Sequence, residues 1–156
     1  MTATAALLFA TNSEHALWPL AGTPLVLRSA RILRSCGDLE HLIVVGPPSV
    51  TGAIALEDNG RTSISAAADP ESALQLLSER IAADVFVVHD ATRALAPPEL
   101  LTEVIAAVRG GAPAALPVTV VSDTVKHIGS GGEIKSTVDR ETLRSVQTPY
   151  GFSRKA

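Results

Sequence analysis

Aromatic residues, cysteine and strong net charge are all scarce in this chain of 156 residues. Aromatics make up only 3%, so the core must be built from alanine, valine, leucine and isoleucine, which favours a sheet covered by helices with small side chains. The single cysteine, Cys36, excludes a disulfide framework and a cysteine-based zinc site. The formal net charge of −3 gives no general attraction to nucleic acid or to an anionic membrane.

Long apolar runs and an export signal are also absent. No stretch is long enough to span a bilayer, and the short apolar run near the N-terminus has no basic residue before it. We therefore expect a cytoplasmic protein that binds neither nucleic acid nor membrane. The content of hydrophobic residues, 46%, is typical of a globular protein, and the length suits one domain over residues 1–156.

Short apolar runs alternate with segments of helical period along most of the chain. The predicted strands are Ala5–Ala10, His41–Val45, Thr62–Ala66, Asp84–His89 and Ala114–Val121. The predicted helices, whose apolar residues recur at helical spacing, are Pro24–Cys36, Glu71–Ala83 and Pro98–Val108. This alternation predicts βαβ units, and therefore an α/β fold with a mostly parallel sheet and helices on both faces.

The pattern changes to that of a two-stranded ribbon at about residues 122–140. Its strands would be Thr124–Ile128 and Glu133–Val138, and the glycine-rich run Gly129–Gly132 would form the turn. A hairpin alone is only marginally stable in water, so we expect this protruding arm to lie on another part of the protein or on a partner chain.

The strand predicted at Asp84–His89 ends in a histidine and is followed by Asp90. Parallel sheets bind ligands beyond the carboxyl ends of their strands, and an acid at such an end can hold Mg²⁺ together with phosphates. An equally good interpretation is that Asp90 caps the next turn by accepting hydrogen bonds from backbone N–H groups. A histidine such as His89 is more often packed or hydrogen-bonded than a ligand. Basic residues on a ribbon usually form an ordinary solvated face, and this interpretation covers Lys126, Lys135 and Arg140.

Four motifs occur in order along the second half of the chain. They are VVHDATR (Val87–Arg93), VSDTVK (Val121–Lys126), STVDRETL (Ser136–Leu143) and QTPYGF (Gln147–Phe152). In order and spacing they resemble the 2-C-methyl-D-erythritol 4-phosphate cytidylyltransferase family of non-mevalonate isoprenoid synthesis. The resemblance covers most of the chain. It implies a Rossmann-like nucleotidyltransferase fold and, as the family reaction, transfer of CMP from CTP to methylerythritol phosphate.

The resemblance also implies roles for individual residues. The residues that would bind the methylerythritol phosphate are Arg93, Thr124, Lys126, Arg140 and Thr148. The residues that would lie at the nucleotide are Ala10, Ser72 and Asp90, and Asp90 would also hold Mg²⁺ if the protein is active. In the family the ribbon embraces a second subunit, so the resemblance implies a homodimer in which Arg140 serves the neighbour's site.

The nucleotide side departs from the family pattern. The family has a glycine-rich loop with an arginine and a lysine after its first strand. This sequence has no glycine between Phe9 and Ala21, no lysine or arginine between Met1 and Arg28, and an acid, Glu14, within the loop. In the element that holds the base, Asp69 stands in place of the family's arginine and only Ser72 fits. The sequence also stops before the family's later motifs, so we interpret it as a divergent and shortened member.

Catalysis by such a chain is expected to be absent or severely impaired. Nucleotidyl transfer depends mainly on positioning and positive charge, and one well-placed cation is worth roughly 10³–10⁵ in rate. We therefore assign no catalytic residue. Two alternatives stay open. The first is a non-catalytic homologue that either dimerises, for example as the regulatory partner of an active, full-length paralogue, or senses a sugar phosphate. The second is a plain α/β interaction domain.

Overall fold

The computed structural model describes residues 3–10, 12–57, 60 and 62–156, apart from the side chains of Ser13 and Ser78. Its strands are β1 (Thr4–Phe9), β2 (Pro19–Leu20), β3 (Thr23–Pro24), β4 (Leu39–Val45), β5 (Ser63–Ala67), β6 (Val85–Asp90), β7 (Ala114–Ala115), β8 (Val118–Val120), β9 (Lys126–Ile128), β10 (Ile134–Thr137), β11 (Arg144–Val146) and β12 (Tyr150–Ser153). Its helices are α1 (Ser13–Leu17), α2 (Leu25–Arg34), α3 (Pro48–Ala55), α4 (Pro70–Arg80) and α5 (Pro98–Arg109). Arg140–Thr142 forms a 3₁₀ turn.

Six strands form the central sheet, in the order β5-β4-β1-β6-β12-β7. The four strands β5, β4, β1 and β6 run parallel to one another. By contrast, β12 is antiparallel to both of its neighbours. The predicted α/β class with a mostly parallel sheet is therefore confirmed.

Helices cover both faces of this sheet, as predicted. Because side chains alternate along a strand, Leu8 of β1 faces a core shared with α2, α3 and α5, whereas Leu7 faces a second core shared with α4. Both leucines are buried, and burying such a side chain contributes about 1.5–3 kcal/mol. The near-continuous apolar character of β1 and β4 is what burial on two sides requires.

The face of β6 and β12 beside α4 is only partly covered. Phe86, Val88 and Phe152 line an apolar cavity of about 450 Å³ there. The guanidinium of Arg154 lies 5.1 Å from the centre of the Phe86 ring and donates hydrogen bonds to the carbonyl oxygens of Ile81 and Ala83. These contacts fix the end of the chain against β6.

The predicted ribbon is present as the antiparallel pair β9 and β10, which is shorter than predicted. A second antiparallel pair, β8 with β11, flanks it in the chain and was not predicted. At the tip, the amide of Gly129 donates to the carbonyl of Glu133, and Gly132 has a φ of 85°, which favours glycine. All residues of β9 and β10 are exposed, including the paired Ile128 and Ile134. The arm thus presents apolar side chains to solvent.

One strand prediction was wrong, and some elements were missed. The predicted strand Ala114–Val121 is two strands in different sheets, because Pro117 interrupts the run and has no N–H for a ladder hydrogen bond. The predicted helix Glu71–Ala83 ends at Arg80 instead, because Ile81 is extended and, like Ala83, enters the core on the α4 side. The missed elements include α1, α3 and β12, which are too short or too weakly periodic to detect. No helix among the residues described above is long and apolar enough to cross a membrane.

Candidate functional site

The parallel strands place several predicted residues at one edge of the sheet. Asp90 is the last residue of β6 and pairs in register with Phe9, the last residue of β1. Ala10 follows directly, is buried, and donates its amide to the carbonyl of Val45 at 2.9 Å. The amide of Ala91 donates to the carbonyl of Phe9 at 2.8 Å. Backbone hydrogen bonds therefore hold the strand ends together, and Ala10 offers this edge no polar side chain.

Asp90 organises the turn that follows β6. Its Oδ1 accepts hydrogen bonds from the backbone amide and from the hydroxyl of Thr92, both at 2.8 Å. This is the turn-capping role that the sequence allowed. Arg93, whose amide donates to the Asp90 carbonyl at 3.0 Å, is thereby held just beyond the strand end with an exposed side chain.

His89 is buried and hydrogen-bonded, as predicted. Its Nδ1 lies 3.0 Å from Oγ1 of Thr148, the residue that precedes Pro149 and β12. Its Nε2 is buried without a hydrogen bond of normal geometry among the described residues, although the backbone of Arg93 lies close enough to act on the ring. Burial lowers the pKa of His89 to about 4, although the neighbouring Asp90 carboxylate acts in the opposite direction. The imidazole is therefore neutral near pH 7.

Two predicted substrate residues, Arg93 and Thr148, line the same cavity of about 410 Å³. Thr92 and Gln147 also contribute polar side chains to it, and its apolar wall includes Leu20 and Leu100. Thr92 and Gln147 lie within the VVHDATR and QTPYGF motifs, but no role was predicted for them. The motifs could not reveal the apolar lining, because only the tertiary fold brings Leu20 of β2 to this cavity.

The arm residues form a second, separate group in the same chain. Thr124 and Arg140 line a cavity of about 260 Å³ at the base of the β9–β10 ribbon. The guanidinium of Arg140 donates to the carbonyl of Ser122 at 2.9 Å, and Nζ of Lys126 donates to the hydroxyl of Thr137 at 2.7 Å. Thus one chain does not gather the five predicted substrate residues around a single cavity.

Ser72 lies apart from both cavities, in the first turn of α4. Its amide donates to Oδ1 of Asp69 at 2.8 Å, so Asp69 is the N-cap of this helix. Hydrogen bonds from Ser72, first of all from its amide, lower the pKa of Asp69. At the position where the resemblance has an arginine, the chain therefore carries an ionised acid with a structural role.

The segment after β1 folds as the short helix α1 rather than as an open loop. Oδ1 of Asn12 accepts from the amide of His15 at 3.2 Å, and the His15 ring lies against Trp18 with ring centres 4.2 Å apart. Ala16 is buried in the core shared with α2 and α3. Glu14 is exposed and is the only charged residue of the helix if histidine is counted as neutral.

The described residues do not form a metal site by themselves. Over these parts of the chain, no three histidine, cysteine, aspartate or glutamate side chains come together as a metal-binding group. Mg²⁺ commonly binds through one or two carboxylates and completes its coordination with substrate phosphates and water. Asp90 therefore fits a magnesium ion only as a partner of ligand phosphates.

Comparison with known proteins identifies the family. The model of the IspD family, 2-C-methyl-D-erythritol 4-phosphate cytidylyltransferase, matches residues 8–156. A relative of that name from Saccharopolyspora erythraea is 38% identical over 88% of this chain and 66% of its own length. Another, from Frankia casuarinae, is 38% identical over 92% of this chain and 55% of its own length.

A solved structure shows the same fold. The 4-diphosphocytidyl-2C-methyl-D-erythritol synthase of Anaerococcus prevotii superposes with a TM-score of 0.82 at 21% identity, over 99% of this chain and 71% of that one. The chain thus spans about two thirds or less of the length of the two curated relatives described above. The four motifs, the arm and these similarities together show that the chain belongs to the 2-C-methyl-D-erythritol 4-phosphate cytidylyltransferase family.

Proposed function

We propose that this chain is a cytidylyltransferase-like protein that binds a small phosphorylated polyol but transfers CMP poorly or not at all. The observation that carries this proposal is the segment after β1, Ala10–Leu17, in which Thr11 lies outside the described residues. Where the resemblance requires glycines and cations, the chain has a capped helix, α1, with a buried alanine and an exposed acid. Asn12 accepts hydrogen bonds from the amides of His15 and Ala16, so these amides are not free for a triphosphate, and the carboxylate of Glu14 would repel one.

Changes at the base-binding element support the same proposal. Asp69 replaces the family's arginine and is engaged in capping α4 through Ser72. This position therefore carries a negative charge instead of a positive one, and its side chain already accepts a hydrogen bond from the helix. Loss of cations from a nucleotidyl-transfer site removes much of the stabilisation of the transition state, because one well-placed cation is worth roughly 10³–10⁵ in rate.

The phosphate side of the site is better preserved. Arg93 and Thr148 line one cavity, and both are suitable donors for phosphate oxygens. Thr124, Lys126 and Arg140 lie on the arm. An arginine makes charge-assisted, bidentate contacts with phosphate, so the retention of Arg140 favours a phosphorylated ligand.

We further propose that the cavity residues Arg93 and Thr148 of one subunit meet the arm residues Thr124 and Arg140 of the other subunit in a homodimer. In one chain they line different cavities, so an arm that reaches a second subunit would bring Arg140 to the partner subunit's cavity. The exposed isoleucines of the ribbon favour the same arrangement, because such side chains are commonly covered in an interface. A heterodimer with a full-length, active paralogue uses the same contact and is the second candidate.

Nucleotide affinity and turnover test the proposal directly. We expect calorimetry to give a millimolar or unmeasurable affinity for CTP, with or without Mg²⁺. Pyrophosphate release from CTP and methylerythritol phosphate should stay at the background rate. The Saccharopolyspora erythraea relative serves as the positive control. Micromolar CTP affinity together with turnover would overturn the proposal in favour of an active enzyme.

A further inference from the structure

The two faces of the central sheet are covered unequally. On one face α2, α3 and α5 enclose the core that contains Leu8, whereas α4 is the one helix of the described residues that contributes to the core on the other face. A helix with its side chains is about 10–12 Å wide and neighbouring strands lie about 4.8 Å apart, so one helix covers about two strands. Because α4 packs mainly on β4 and β5, the described chain places no helix directly above β6 and β12 on this face.

An apolar groove occupies this uncovered position. Its volume is about 450 Å³, and its lining includes Phe86 and Val88 of β6, Phe152 of β12, and Pro70, Leu74 and Leu77 of α4. The three α4 residues follow the spacing i, i+4, i+7, which places them on one side of the helix. Leu74 is 60% exposed, whereas the adjacent Ala73 is 0% exposed, so Leu74 faces the groove instead of the core. The sheet and the side of α4 therefore present apolar surface to the same space.

We propose that this α4 groove is the docking site of an amphipathic helix that lies beside α4. Helices in contact have axes about 8–10 Å apart, which is about two strand spacings, so such a helix lies above β1 and β6 and reaches Phe152. Its apolar residues contact Leu74 and Phe86, and its polar face remains in water. The inference goes beyond the proposed function, because the groove shares no lining residue with the cavity of Arg93 and Thr148.

The fold favours a helix as the occupant of the groove. Sheets of parallel strands are normally covered by helices on both faces. On the opposite face α5 already packs on β12, and it does so closely enough that a Cβ at Gly151 would lie 2.6 Å from Cγ1 of Val104. A second helix in the α4 groove gives β6 and β12 the same cover on their other side.

The longer relatives indicate which segment supplies this helix. The Saccharopolyspora erythraea relative is matched over 66% of its length and the Anaerococcus prevotii structure over 71%, so both contain residues outside the matched part. The family model matches this chain as far as Ala156, and Ala156 itself lines the groove. A segment that follows the matched part in a relative therefore starts beside the groove, and we assign the docking helix to such a segment.

Titration with that segment tests the proposal. The probe is a peptide with the residues of the Saccharopolyspora erythraea relative that follow its matched part, and a peptide of the same composition in scrambled order is the control. We expect the probe to bind the 156-residue chain, to become helical in circular dichroism, and to shift the NMR signals of Leu74, Phe86 and Phe152. The scrambled peptide should do none of these. Absence of binding, or binding without helix formation, overturns the proposal.

Two matched variants locate the binding. Leu74→Asp should weaken binding of the probe at least about tenfold, because burial of a leucine side chain changes a binding constant by about that factor or more. Leu56→Asp is the control, since Leu56 is 89% exposed but lies at the end of α3. Both positions are exposed, so both variants should fold, and urea unfolding without peptide verifies this. Equal affinity of the two variants overturns the proposal, because the probe then binds elsewhere.

The same variants distinguish other occupants of the groove. If a second copy of the chain filled it, Leu74→Asp would lower the mass measured by light scattering without any peptide. If a small apolar molecule were the occupant, the dye anilinonaphthalene sulfonate would bind wild type more strongly than Leu74→Asp and would not be displaced by the probe. We expect an unchanged mass and displacement of the dye, and either opposite result overturns the assignment to a helix.

Discussion

At the residue scale, His89 and Asp90 are neighbours in β6 but face opposite sides of the strand and therefore lie in different environments. His89 points into the core, where burial lowers its pKa to about 4. Asp90 is partly exposed and uses Oδ1 to hold the following turn. One strand therefore delivers a neutral hydrogen-bonding ring to Thr148 and a carboxylate to the edge where ligands of parallel sheets bind.

The buried His89 should make the stability of the protein fall in mild acid. Its pKa in the folded chain is about 4, below the ordinary 6.5, so the unfolded chain takes up a proton first as the pH falls. This contribution to stability is present above pH 6.5 and is lost progressively down to about pH 4. The total effect is on the order of 3 kcal/mol. Urea unfolding between pH 4 and pH 7 measures it.

The matched control for this titration is His89→Gln, which removes the ionisable group. The slope of unfolding free energy against pH in this range should decrease in the variant. An unchanged slope would show that other groups are responsible.

Arg140 is expected to bind the ligand phosphate through its planar guanidinium. Arg140→Ala should weaken methylerythritol phosphate binding by about 1.5–3 kcal/mol, the range for hydrogen bonds to charged groups. Arg140→Lys should also weaken it, because an ammonium cannot make the bidentate contact. NMR titration measures both effects. Arg144→Ala is the control, since Arg144 donates to the carbonyls of Glu141 and Leu143 and does not line the arm cavity.

At the scale of elements, β12 determines how the site is assembled. It lies antiparallel between β6 and β7, and this position brings Thr148 beside His89. The strand also passes close beneath α5. A Cβ at Gly151 would lie 2.6 Å from Cγ1 of Val104 and 3.1 Å from Cγ2 of Val108. Glycine is therefore required for the close approach of strand and helix.

Gly151→Ala should destabilise the protein, because the added methyl group overpacks the space between β12 and α5. Overpacking of this kind costs about 1–3 kcal/mol. Gly52→Ala is the matched control: Gly52 lies within α3, and a Cβ there meets nothing within 4 Å. That change should instead stabilise by about 0.4–1 kcal/mol. Chemical denaturation of both variants measures the difference, and equal effects would contradict the close approach.

At the scale of the whole molecule, the arm exposes apolar side chains that no other part of the same chain covers among the described residues. Its paired isoleucines, Ile128 and Ile134, are 50% and 65% exposed. A partner chain that covered them would stabilise the ribbon, since about 25 cal/mol is gained for each Å² of apolar surface removed from water. The proposed dimer joins this surface to the ligand site.

The double variant Ile128→Ser/Ile134→Ser should therefore shift the protein from dimer toward monomer in light scattering. Leu56→Ser is the matched control, because Leu56 is 89% exposed but lies at the end of α3, away from the arm. Replacing residues 127–136 by Asn-Gly, which favours a two-residue hairpin turn, should give a folded monomer. A wild-type monomer, or a dimer unaffected by these changes, would contradict the proposed role of the arm.

The linear pattern of residues determined the fold class, the family and the existence of the ribbon. Apolar runs such as His41–Val45 form strands because they fill a sheet buried on both faces, and four motifs in order identify the family. The absence of glycines and cations after β1 was also evident from the sequence, because it depends only on which residue types occur there.

Only the tertiary structure decided which of these residues meet. Four residues, Tyr150–Ser153, are too few to reveal a strand, and their pairing with β6 depends on contacts between distant parts of the chain. That pairing brings Thr148 to His89 and Arg93, while the arm carries Arg140 to a different cavity. Local propensity determines each element, but the hydrogen bond between His89 and Thr148 exists because packing brings together residues that are 59 positions apart along the chain.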